Sequence, residues 1–77
     1  MLADVTIFVW CDSITGQWNV RAEFYHYPGG GPSQFLSGES GAPNVSVDDD
    51  GDFTGSVDID MENGFGTVIC SITVTFG

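Results

Sequence analysis

Apolar side chains recur at every second position in four stretches of this chain, and no stretch shows the three-to-four spacing of a helix. Val5, Ile7, Val9 and Cys11 form the first set, and Trp18, Val20, Ala22 and Phe24 the second. Phe53, Gly55, Val57, Ile59 and Met61 form the third, and Val68, Cys70, Ile72, Val74 and Phe76 the fourth. Period two is the strand period, because successive side chains of a pleated strand leave opposite faces. Strands with one apolar face must bury that face against another layer. The expected fold class is therefore all-β: a small antiparallel β-sandwich or partly closed barrel of about five to six strands.

Turn chemistry sets the expected pairings. The segments 3–12 and 17–27 read as a hairpin across Ser13-Ile14-Thr15-Gly16, with Gly16 in the left-handed conformation. That register pairs Cys11 with Trp18, Val9 with Val20, Ile7 with Ala22, Val5 with Phe24 and Asp4 with Tyr25. The segments 44–48, 52–62 and 65–76 read as a three-stranded meander. Asp49-Asp50-Gly51 suits a three-residue turn that pairs Val47 with Phe53, and Val45 shares the inward face of Val47. Asn63-Gly64 reads as a two-residue hairpin turn that pairs Met61 with Gly66, Ile59 with Val68, Val57 with Cys70 and Phe53 with Val74. Between hairpin and meander, residues 28–44 hold Pro28, Gly29 to Gly31, Pro32, Gly38, Gly41 and Pro43. They read as an irregular loop in which Phe35 and Leu36 serve as anchors or as a short edge strand.

At 77 residues the chain is one domain, 1–77. Its formal charge of −10, with Arg21 as the sole Lys or Arg, argues against direct contact with nucleic acid or an anionic membrane, both of which would repel it. No apolar run approaches the roughly 20 residues that a bilayer requires. Met1-Leu2-Ala3-Asp4 lacks the charged start and apolar run of a secretory signal, which predicts cytoplasmic synthesis, with a virion or other particle as a possible destination. Cys11 and Cys70 have neither metal-ligand nor redox spacing. They read either as buried thiols or as a disulfide that closes almost the whole chain, contributing about 4 kcal/mol.

Seven of the eleven acidic residues fall within residues 47–63. A twelve-position calcium loop begun at Asp50 would place Asp52, Thr54 and Gly55 suitably but put Met61 where a bidentate Glu is needed, so the EF-hand reading fails. Asp48, Asp49, Asp50 and Asp52 around the turn remain a candidate calcium set, since Asp48 and Asp52 face each other as like charges that a cation would relieve. Asp52, Thr54, Ser56, Asp58, Asp60 and Glu62 project from the other face of the strand. Carboxylates at alternate positions sit about 6.5–7 Å apart, a spacing comparable with that of backbone phosphates. Three readings compete for that row: an ordinary solvated sheet face, a cation site at its turn, or a mimic of nucleic acid.

The first hairpin carries a second candidate surface. Phe8 opposite Arg21, Trp10 opposite Asn19, and Tyr25 lie on its outer face with Tyr27 nearby, an aromatic patch with one cation in reach. Either the 28–44 loop covers this patch through Phe35 and Leu36, or a neighbour does. His26 lacks partners for zinc or for a catalytic triad, and the glycine run lacks the Lys and helix of a phosphate loop, so catalysis is not expected. Asn44-Val45-Ser46 is a glycosylation sequon only for a secreted chain.

The reading is a non-enzymatic domain without cofactor, acting through protein contact or self-assembly, as a virion- or particle-associated structural module. Its candidate contact residues are Phe8, Trp10, Arg21, Tyr25, Asp52, Asp58, Asp60 and Glu62. The alternative is an acidic inhibitor of the kind phages encode. It would imitate nucleic acid and block a nuclease, a repressor or a guide-RNA (CRISPR) effector.

Overall fold

The computed structural model describes residues 2–77, which form six strands and no helix. They are β1 (Leu2–Cys11), β2 (Trp18–His26), β3 (Gln34–Gly41), β4 (Ser46–Val47), β5 (Phe53–Glu62) and β6 (Val68–Phe76). Every pairing is antiparallel: β1-β2-β3-β5 run side by side, β6 pairs β5 on the edge opposite β3, and β4 pairs the first two residues of β5. The sheet curls into a half-barrel, so the Trp18 ring of β2 meets the Phe53 ring of β5 at 5.2 Å although the two strands are not neighbours. An all-β, partly closed barrel is thus borne out.

The alternation dictates the core. Val20, Ala22 and Phe24 of β2, Leu36 of β3, and Val57, Ile59 and Met61 of β5 are buried on the concave side, joined by Ala42 and Val45 from the β3–β4 connection. Full burial of the Val, Leu, Ile, Phe and Met side chains among them contributes about 1.5–3 kcal/mol each. Val9, Trp18, Phe53, Ile72, Val74 and Phe76 pack around them, half-buried.

The structure corrects the sequence reading in four places. Residues 34–41, expected to be loop, form an eight-residue central strand that joins hairpin to meander; only the flanking stretches are irregular. Leu36 points into the core rather than over the outer face. Gly38 explains how the strand fits, since a methyl group there would overlap the Asp60 carbonyl and lie 2.8 Å from Ile59 Cγ2.

The β1–β2 register holds from Cys11↔Trp18 to Thr6↔Glu23 and then slips. Ala3, not Asp4, faces Tyr25, and Asp4 (φ 55°) with Val5 forms a bulge opposite Phe24. The β5–β6 register is displaced by four residues of β6, pairing Ile59 with Ile72, Val57 with Val74 and Met61 with Cys70. The shift is even, so faces are conserved until the bulge beside Met61, after which Val68 lies opposite Glu62 on the outer side.

Three turns share one plan. Asp12 Oδ1 accepts the N–H groups of Ile14 and Thr15, Asp48 Oδ1 those of Asp50 and Asp52, and Asn63 Oδ1 those of Phe65 and Thr67. Each turn ends on a left-handed glycine: Gly16 (φ 73°), Gly51 (φ 85°) and Gly66 (φ 81°). The expected turns at Gly16 and Gly51 are confirmed, as is Val47↔Phe53. Asn63 instead uses Gly66, not Gly64, and the longer turn together with the bulge at Ile69 produces the register shift.

The fourth correction concerns the sheet margins. Val5, Ile7, Cys11, Val68 and Cys70 were expected to face into the core and are exposed, because β1 and β6 are free edges of an incompletely closed barrel. Cys11 and Cys70 sit on those opposite edges as free, exposed thiols, so they are neither disulfide-bonded nor buried.

Candidate protein-contact surface

The outer face of β1, β2 and β3 gathers the aromatic residues. Phe8 lies opposite Arg21 and Trp10 opposite Asn19, as the hairpin register requires. Tyr25 pairs with Phe35 of β3, their rings 5.3 Å apart and edge-on. Phe8, Trp10, Tyr25 and Phe35 remain 45, 39, 40 and 46% exposed, so the 28–44 segment extends this patch instead of covering it. Phe35 was missed as a contact residue because its strand was read as loop. The alternation of Phe35 against Leu36 was the available signal. Arg21 is placed beside the patch, but its Nε donates to Glu23 Oε2 at 3.0 Å, so the guanidinium turns along β2 toward a carboxylate and not over a ring.

The acidic row is divided. Asp58, Asp60 and Glu62 are exposed on β5, alternating with buried Val57, Ile59 and Met61. Thr73 Oγ1 donates to Asp58 Oδ1 and Ser71 Oγ donates to Asp60 Oδ1, each at 2.6 Å, the length of a charge-assisted hydroxyl bond. Two exposed carboxylates are thereby tied to cross-strand neighbours. Asp52 does not continue the row; it belongs to the turn before β5, and Gly55 (φ 110°) breaks the extended backbone between.

Around that turn, carboxylate oxygens of Asp48, Asp50 and Asp52 lie within 4.8 Å of one another, and Asp49 is outside the group. The backbone already uses Asp48 Oδ1 twice, which accounts for its position without a cation. The opposition of Asp48 and Asp52 is softened in the same way, by N–H groups aimed at the carboxylate.

Among the described residues no polar or charged side chain is buried. An open concavity lies beside Ser40, Pro43, Asn44, Ser56 and Asp58, with neither His26 nor a thiol in its lining. His26 ends β2 opposite Leu2 and Gln34, half-buried at the sheet margin. No helix among the described residues is long and apolar enough to cross a membrane. Compared with protein-family models, curated proteins and solved structures, the chain matches none of them.

Proposed function

We propose that this is a non-enzymatic β-domain that acts through protein–protein contact, as a structural or assembly module of a virion or other particle. The observation that carries this reading is the aromatic face: four large rings from three adjacent strands, each about two-fifths exposed or more, on one side of one sheet. Aromatic clusters of this kind mark contact surfaces, because rigid rings bury large area with little loss of conformational freedom. The outer face of β5 is acidic at Asp58, Asp60 and Glu62, which suits it to remaining solvated. The test is particle size by light scattering over a concentration series at low and high salt. Assemblies should form, survive salt and be lost in Trp10→Ala; a monomer at all concentrations without a partner would count against self-assembly.

A second reading is favoured by the fixed orientation of Asp58 and Asp60. A row of held carboxylates suits the basic groove of a nucleic-acid-binding protein, which this domain would then inhibit. Such binding should weaken steeply with salt and be abolished in Asp58→Asn combined with Asp60→Asn.

A further inference from the structure

We propose that the free edge of β1 pairs antiparallel with β1 of a second copy, centred on Val9, so that two half-barrels share one continuous sheet. The inference rests on the assembly reading above and names its geometry. From Ile7 to Cys11 the strand is apolar on both faces: Ile7, Val9 and Cys11 on one, Phe8 and Trp10 on the other. That composition belongs to a strand covered on both sides, yet β1 is at the sheet margin. Beyond the bulge at Asp4 and Val5 it carries none of the usual edge guards: no Lys, no Pro, and no charge from Thr6 to Cys11. The opposite edge, β6, differs in presenting Ser71 and Thr73 outward, where they are engaged with Asp60 and Asp58.

The backbone says which groups are free. Asp12 N–H donates to Gln17 O, and the pairing then runs unshifted from Cys11↔Trp18 to Thr6↔Glu23. Antiparallel ladders alternate, so Trp10, Phe8 and Thr6 bond to β2, while the N–H and C=O groups of Cys11, Val9 and Ile7 point away from it. Those unpaired groups are a template for one more strand.

Symmetry selects the occupant, and charge the register. Both copies carry −10 and repel overall, so contact is least opposed along the uncharged stretch of β1, where an antiparallel copy meets the same apolar residues. Registers that keep inward residues facing inward are centred on a single residue. Centring on Phe8 sets Asp4 near Asp12 of the other copy, two like charges, which is unfavourable. Centring on Val9 sets Asp12 against Thr6, Trp10 against Phe8, and Cys11 against Ile7, with Val9 on the two-fold axis. Aromatic pairs then form twice on the outer face, at the closely spaced positions.

The test is sedimentation equilibrium of the full chain with Val9→Pro, Ile7→Lys and Trp10→Ala. Proline at position 9 removes an N–H that β2 does not use, so the hairpin should persist by circular dichroism while both hydrogen bonds on the axis are lost. The wild-type chain should be a dimer whose dissociation constant rises about tenfold or more in Val9→Pro. Ile7→Lys, exposed in the single copy, guards against misfolding of the proline variant and should also give monomers. An assembly that fails in Trp10→Ala yet persists in Val9→Pro and Ile7→Lys would overturn edge pairing while sparing the aromatic-face reading. A wild-type monomer at all concentrations would overturn edge pairing, and self-assembly with it.

Discussion

Gly38→Ala should be the most informative single methyl group added to this protein. The added carbon would collide with the Asp60 carbonyl, lie 2.8 Å from Ile59 Cγ2 and 3.1 Å from the Asp60 carbonyl carbon. Comfortable carbon contacts need about 3.5–4.0 Å, so β3 must retreat from β5 by roughly 1 Å. Backbone cannot swing aside as a side chain can, which places the cost near the upper end of the 1–3 kcal/mol typical of overpacking, about 3 kcal/mol. For a domain of this size each kcal/mol lowers the melting temperature by about 4–8 °C, giving a drop of about 12–24 °C by far-UV circular dichroism. Gly41→Ala is the matched control on the same strand. Its methyl meets the terminal amide of Gln17, a flexible group, so the change should stay within about 1 kcal/mol. Similar melting temperatures for the two variants would refute the close seam between β3 and β5, and with it the joining of hairpin to meander.

Two turns supply the other predictions. Gly66→Ala should cost about 1–2 kcal/mol in chemical denaturation because its φ of 81° is left-handed, whereas Gly64→Ala should be nearly neutral; a two-residue Asn-Gly turn would also penalise Gly64→Ala. Asp48→Ala should cost about 1 kcal/mol by removing the acceptor for Asp50 and Asp52, while Asp48→Asn should restore most of it, measured by thermal melting.

Much of this fold is legible in the sequence because alternation is local. The alternation assigned Val57, Ile59 and Met61 to the core and Asp58, Asp60 and Glu62 to solvent, and the structure agrees. What escaped depends on residues distant in the chain. Gly38 and Gly41 look like strand breakers until β5 is known to press against β3. Asn63 has two glycines within reach, and the choice of Gly66 follows the pattern of Asp48 and Gly51, one turn upstream. Alternation also reveals which residues of β1 share a face, but not that the sheet stops before covering Val5 and Ile7. The candidate site was half visible for the same reason: Phe8, Trp10 and Tyr25 follow from the hairpin, and Phe35 needs β3.

The shared plan of the turns bears on how this molecule ages. Asn followed by Gly is prone to lose ammonia when the Gly64 nitrogen attacks the Asn63 side-chain carbonyl, and the resulting ring opens with water to Asp or iso-Asp. The Asp product keeps an oxygen where Phe65 and Thr67 donate, as Asp48 does for its own turn. The iso-Asp product inserts a carbon into the main chain and breaks the geometry that sets the β5–β6 register. In a stored sample the first product should carry one more negative charge and melt with the fresh protein; the second should carry the same charge and melt early.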